Sequence, residues 1–162
     1  MQKQKPVTDK KPEVAKLVDD TKLKEALKEV SKDNFLSAKE LGLSDLQYRG
    51  LVMTLRGMES GTVVHYKKLD PMNLSAGIHP FRMENWRRPW GSCGTVACIG
   101  GTAEIMVGVG RWGLFTDPIH RQKGELGNLL FRFPDCVTEV EAAKALRGYL
   151  ETGKTDWKES MK

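Results

Sequence analysis

Arg87-Arg88-Pro89-Trp90-Gly91-Ser92-Cys93-Gly94-Thr95-Val96-Ala97-Cys98-Ile99-Gly100-Gly101-Thr102-Ala103 lies near the middle of a 162-residue chain and is its longest weakly charged run. Pro89 and Gly91 stop whatever precedes it. Ser92 then has a hydroxyl suited to accept an orphan amide hydrogen at a helix start. From Gly94 to Val107 the one charged residue is Glu104. Apolar or small residues fall on every face of that segment, which predicts a buried central helix. Gly100 and Gly101 would each cost about 1 kcal/mol in an exposed helix. Inside a core they let another element pack close.

On the N-terminal side, residues 1–12 read as a flexible, solvated arm with two prolines and no apolar periodicity. Helical signals begin at Glu13, first with Val14, Leu17 and Val18, then with Leu23, Ala26, Leu27 and Val30 at i, i+3, i+4, i+7. Ser37 with Glu40 and Ser44 with Gln47 form two capping boxes. The first opens a short turn that Gly42 ends. The second opens an amphipathic helix with Leu46, Leu51, Val52 and Leu55 inward, to about Gly57. From Gly61 to Gly91 regularity fails. Thr62-Val63-Val64-His65-Tyr66 suits one short strand, and Pro71, Gly77 and Pro80 break the rest into turns. Phe81, Met83, Trp86 and Trp90 are too apolar to leave in water, so this stretch is expected to be a structured loop packed on the central helix.

Beyond the central run, Gly108 and Gly110 end the helix, and Trp112, Leu114 and Phe115 return to the core. Leu126, Leu129, Leu130, Phe131 and Phe133 form a further apolar cluster that stops at Pro134. Thr138 with Glu141 is a third capping box. It opens a helix with Val140, Ala143, Leu146, Tyr149 and Leu150 inward and Gly153 past its end. Asp156-Trp157 is expected to fold back on that helix, and residues 158–162 to fray. The expected fold is mainly α: a single-domain helical bundle over residues 13–157 around a buried central helix, with an irregular central loop and at most a short β element.

Composition bounds the function. No apolar run reaches the roughly 18 residues needed to cross a bilayer, and the polar first residues, with no apolar signal core behind them, are not expected to direct export by the Sec route. Cys93, Cys98 and Cys136 are an odd set without metal-ligand spacing, which suits free thiols in a reducing cytoplasm. The net charge of +5 concentrates in the arm, where Lys3, Lys5, Lys10 and Lys11 face Asp9 alone. The body is close to neutral, so nucleic acid is a partner for the arm rather than the favoured partner of the fold. Three histidines scattered over separate loops do not offer zinc its close ligand pairs. Neither a metal nor a cofactor is expected.

Chemistry concentrates around the central run. A cysteine at a helix N-terminus feels the positive end of the backbone dipole, which favours thiolate, so Cys93 is the candidate nucleophile. Gly94 leaves an amide hydrogen accessible for an oxyanion. His79, on the loop beside the tryptophans, is the first candidate base and His120 the second. A tight loop-to-helix junction explains the same small residues without any chemistry. Cys98 lies about 140° round the helix from Cys93 and reads as a small buried hydrophobe. Glu104, a carboxylate in a buried helix, needs a partner, for which Arg82, Arg87, Arg88 and Arg111 are available. Arg82, Trp86, Arg87, Arg88 and Trp90 interleave guanidinium groups with indoles. That pattern fits either cation–π packing of a loop or a surface for a phosphate or nucleotide.

Cys93-Gly94-Thr95-x-Ala97-Cys98-x-x-Gly101, with Phe81-x-Met83-x-x-Trp86 ahead of it, resembles a group of bacterial and phage proteins of no assigned activity. The likeness runs on through Leu130-Phe131-x-Phe133-Pro134, Thr138, Ala142-Ala143 and Gly153-x-x-Asp156-Trp157, roughly the C-terminal half. It implies a small cytoplasmic protein. Where those proteins carry histidine after Ala-Gly, this chain has Gly101-Thr102. Cys93-Gly94 followed by Ala97-Cys98-Ile99 is also similar to the nucleophile helix of papain-like, bacteriocin-processing cysteine peptidases, which implies a nucleophilic Cys93.

Together these point to a non-enzymatic binding protein, its ligand anionic or nucleotide-like, or an acidic protein surface. The expected contact residues are His79, Arg82, Trp86, Arg87, Arg88, Trp90, Gly94 and Thr95. The alternative is a thiol hydrolase or acyl-transfer enzyme built on Cys93 with His79 or His120.

Overall fold

A computed structural model of the chain describes residues 33–69, 77–83, 87–90, 94–110, 113–115, 124–135 and 137–162, with 87–90 and 94–96 described by their backbone alone. The basic arm and the helical pattern of residues 13–30 lie outside the described residues. So do Trp86, Cys93, Trp112, His120 and Cys136.

Two of the capping boxes open long helices where the sequence places them. Ser44 caps α1 (Asp45–Glu59): the Gln47 amide donates to its Oγ at 3.2 Å, and Gln47 Oε1 accepts from the Ser44 amide at 2.9 Å. Thr138 and Glu141 do the same for the helix over Glu139–Thr152, which Gly153 ends in the left-handed conformation at φ 71°. Ser37 and Glu40 close a turn rather than a helix, with Gly42 at φ 66° after it. Leu51, Val52 and Leu55 are buried as their spacing predicts, whereas Leu46 is 40% exposed. Leu46 lies in the first turn of α1, one turn ahead of the packed stretch that starts at Gly50.

Past α1, the chain forms β1 (Val63–His65), a 3-10 turn (Tyr66–Lys68), β2 (His79–Phe81), β3 (Arg87–Trp90) and β4 (Gly94–Ala97). These strands make one sheet of order β1-β2-β4-β3. β1 and β4 run parallel to β2, and β3 runs antiparallel to β4. The expected single strand is therefore one of four. The two prolines sit where a missing donor does least harm. Pro89 is in β3, an edge strand among the described residues. In β2, the His79 amide donates to Thr62 O on the β1 side at 2.7 Å, and the Arg82 amide to Ala97 O on the β4 side at 3.0 Å. Alternation puts the absent Pro80 donor on the β4 side, where pairing begins only at Phe81–Ala97.

The central helix corrects the sequence-based expectation. Gly94–Ala97 is strand, Cys98 takes the N-cap position, and α2 spans Ile99–Met106. Thr95 and Val96 are β-branched, and β3 and β2 offer partners on both sides, so tertiary pairing decides between the two structures that a short apolar run permits. The remaining helix is buried as expected, from Ile99 through Glu104.

The helices that follow are α3 (Glu125–Phe131), α4 (Glu139–Thr152) and α5 (Trp157–Ser160), and the chain is mainly helical. α1 packs against α2 and α4, while α3 and α5 pack on α4. Close approach of α1 and α2 depends on the glycines of α1. A Cβ on Gly50 would sit 3.0 Å from Ala103 O, and one on Gly57 would sit 2.6 Å from Val63 Cγ2 and 3.2 Å from Met106 Cε. Leu51, Leu55, Phe81, Ile99, Phe115 and Leu146 lie in the core these elements enclose. Leu146, Tyr149 and Leu150 of α4 are buried, but Val140 is 55% exposed in the first turn. Residues 158–162 do not simply fray: Asp156 caps α5 through Glu159, and Ser160 is buried. No helix among the described residues is long and apolar enough to cross a membrane.

Glu104 is fully buried, and its Oε1 accepts from the Leu114 amide at 3.3 Å. Gln47 Nε2 donates to Leu114 O at 2.9 Å. One buried carboxylate and one amide thus hold the segment that carries Leu114 and Phe115 against α1 and α2, satisfying backbone groups that water does not reach.

Candidate functional site

β1, β2 and β4 run in the same direction, so their carboxyl ends share one edge. The register sets His65, Phe81 and Ala97 in a row across them, and extends it to Arg87 of β3. The carboxyl edge of parallel strands is the usual ligand edge of such sheets, because the chain leaves there in loops with accessible polar groups. Here the 3-10 turn leaves β1, Arg82-Met83 leave β2, and Cys98 leads β4 into α2.

The 3-10 turn joins the polar groups of this edge. On one side, Arg82 lies with Cζ 4.8 Å from the centroid of the Tyr66 ring, a cation–π contact that holds the guanidinium at the end of β2. His65 packs its ring 4.9 Å from Tyr66, tilted by 45°. Its Nδ1 accepts from the Lys67 amide at 3.4 Å. On the other side, Lys68 Nζ pairs with Glu139 Oε1 at the start of α4. Glu139 is 7% exposed, and its Oε2 is buried with no hydrogen-bond partner among the described residues. An unsatisfied carboxylate oxygen shut away from water is a strong acceptor for an N–H or O–H group. Glu141, two residues further on, has its carboxyl held below the ordinary 4.5, mainly by hydrogen bonds from the Thr138 amide and hydroxyl, with Lys144 and His65 adding to the effect.

The expected site residues fall into three groups. His79 lies on β2 opposite Val63, half-buried, and burial pushes its imidazole below the ordinary 6.5. It is therefore neutral near pH 7 and contributes no charge to an anion site. Arg87, Arg88, Trp90, Gly94 and Thr95 are brought together by one antiparallel pair, Arg87 opposite Ala97, Arg88 opposite Val96 and Trp90 opposite Gly94. This pairing spreads the basic–aromatic run along a strand, with Arg87 at the carboxyl edge of the parallel strands and Trp90 at the other end. Trp86, Cys93 and His120 lie outside the described residues. Arg82 alone of the expected set is placed by its side chain on the polar edge.

The helix N-terminus that was to activate Cys93 begins at Ile99, and the residue at its cap is Cys98. Cys98 is wholly buried, and burial pushes its thiol up to about 12, against a smaller opposing pull from the Gly101 and Gly100 amides. That cysteine is inert, as its reading as a small hydrophobe predicts. No group of three or more metal-ligating side chains occurs among the described residues.

His65, Tyr66, Lys68 and Glu139 were not singled out by the sequence. Lys68 and Glu139 are 71 positions apart, and only the packing of α4 beside β1 brings them together. The one local signal is that Glu139 directly follows the capping Thr138, a position that also suits an acid for purely helical reasons. No family model, curated protein or solved structure matches the chain.

Proposed function

We propose that this is a non-enzymatic binding protein of the bacterial or phage cytoplasm whose ligand is nucleotide-like, an anionic group joined to a hydrogen-bond donor. The observation that carries the reading is the Tyr66–Lys68 turn, which has Arg82 on one side and the unsatisfied Oε2 of Glu139 on the other. The turn rises about 2 Å per residue, so Tyr66 and Lys68, the residues that hold the two groups, are anchored about 4 Å apart along it. Arg82 supplies a planar cation for a phosphate oxygen. Glu139 Oε2 has an unfilled acceptor position, which an exocyclic amine or sugar hydroxyl would reach by displacing the exposed Lys68 side chain. Arg87 stands in the same cross-strand row as His65 and adds positive potential. Neutral His79 leaves the attraction to the arginines.

Titration with adenosine monophosphate, followed by tryptophan fluorescence, tests this. The expected result is a saturable change below millimolar ligand. Arg82→Gln and Glu139→Gln should each weaken binding about tenfold, the scale of one lost charge-assisted hydrogen bond. No saturable response at millimolar nucleotide, or equal affinity in both variants and the parent, would remove the nucleotide reading.

A further inference from the structure

The outer face of α4 and the start of α5 border a second, unrelated space, open to solvent and ringed by exposed side chains. It is a cavity of about 750 Å³, within the range that holds a small organic ligand. Its floor is Ala145 and Gly148, and Lys144, Thr152, Lys154 and Asp156 stand around it.

The walls are held before any ligand arrives. Thr155 donates its amide to Glu125 Oε2 at 2.7 Å and its hydroxyl to Glu125 O at 2.8 Å. Trp157 Nε1 donates to Asn128 O at 3.1 Å, and Ser160 Oγ to Asp156 O at 2.7 Å. These bonds fix the 153–157 segment to α3 and fix α5 to that segment. Thr152 Oγ1 donates to Gly148 O at 2.7 Å and accepts from the Lys154 amide at 3.2 Å, which ties the back wall to the floor.

Two further features point to an occupant. Gly148 sits inside a helix, where glycine is unfavourable relative to alanine. Unlike Gly50 and Gly57, it has nothing within 4 Å of an added Cβ, so packing gives no reason for it. Its effect is to keep the cavity floor low. The charge balance is also uneven. Glu159 Oε2 is paired with Lys162 Nζ at 2.6 Å, and Asp156 Oδ1 accepts from the Glu159 amide at 3.0 Å. Lys154 has no ion-pair partner among the described residues, whereas Lys144 stands three positions after Glu141 on α4 and helps hold that carboxyl below 4.5.

We infer that this cavity is a binding site for a small organic anion with an apolar body. The body lies on Ala145 and Gly148, and the phosphate or carboxylate group lies between Lys144 and Lys154. The site is independent of the sheet edge.

Phenyl phosphate is the probe, read by amide chemical shifts of the full-length, 15N-labelled protein. Saturable shifts at Gly148, Thr152 and Lys154 are expected at millimolar probe. Lys144→Gln should weaken them about tenfold. Gly148→Leu should abolish them by filling the floor, and Gly148→Ala should weaken them while raising the urea midpoint. Arg82→Gln should leave them unchanged. Absence of saturable shifts, unchanged affinity in Gly148→Leu, or equal affinity for inorganic phosphate and phenyl phosphate would each overturn the inference. The sheet-edge reading would stand or fall separately, because its readout moves with Arg82.

Discussion

Replacing Gly57 by alanine sets two effects of opposite sign against each other at one position. Alanine is favoured over glycine by about 1 kcal/mol in a helix interior, and by less at Gly57, which lies in the last turn of α1. The new Cβ, however, would lie 2.6 Å from Val63 Cγ2, 3.2 Å from Met106 Cε and 3.3 Å from Thr62 Oγ1. Met106 can yield through its flexible chain. Val63 cannot, because it is fully buried, branched at Cβ and fixed in β1 opposite His79. Forcing an added methyl into such a contact costs about 1–3 kcal/mol. The steric cost should therefore win, leaving Gly57→Ala destabilised by about 1 kcal/mol net. Val63→Ala removes the offending methyl at a cost of its own, about 2 kcal/mol for lost burial and the space left behind. In that background, Gly57→Ala should become neutral or stabilising, so the double-mutant cycle should show coupling of about 2 kcal/mol. Urea unfolding with a constant slope measures all four corners. If Gly57→Ala stabilises the parent, or has the same effect with and without Val63, then β1 does not pack on α1 as described.

Two further predictions concern titratable groups. Cys98, its thiol pushed up to about 12 by burial, should resist iodoacetamide at neutral pH in the folded protein and label readily in denaturant, as read by mass spectrometry of its peptide. Labelling of Cys98 in the native state at the rate of a peptide thiol would show that α2 opens or starts elsewhere. The Glu141 carboxyl is held below 4.5 in the folded state, so its contribution to stability is fully present above that pH and is lost as pH falls through the lower folded value. Glu141→Gln should flatten that part of the stability–pH curve in acid, and an unchanged curve would show that the capping box does not form in solution.

What the sequence makes legible follows the range of the interactions. A capping box is written in four consecutive residues, so Ser44–Gln47 and Thr138–Glu141 could be read directly, as could the left-handed end at Gly153. Leu46 and Val140 break their helical patterns because each occupies a first turn with less of the core beside it. Gly94-Thr95-Val96-Ala97 was not legible as a strand. Its alternatives differ in long-range partners, Phe81 and the Arg87–Trp90 segment, and nothing local states that these will be adjacent. One misplaced boundary then moved the expected site. With a helix beginning at Gly94, the basic run would crowd a helix N-terminus. With a strand there, the same arginines line an edge, and the polar groups gather instead where three parallel strands end. Arg82 stands out in the sequence because arginine among indoles is conspicuous, and the structure places it against Tyr66. Glu139 was hidden behind the ordinary preference for acids in a first turn.

The two sites share α4, and its length determines how they must be tested. Glu139 is the first residue of that helix and Gly148 lies nine positions on, a rise of about 14 Å at 1.5 Å per residue. That separation exceeds the 7–10 Å beyond which substitutions without shared partners usually add. The partners are also distinct: Glu139 meets Lys68 at the sheet edge, whereas the Gly148 carbonyl accepts from the Thr152 hydroxyl on the cavity side. Effects of Glu139→Gln and Gly148→Leu on stability and on each ligand should therefore be independent to within a few tenths of a kcal/mol. Strong coupling would mean that α4 moves as a lever between the sites, and the picture of two preformed, separately fixed walls would have to be given up.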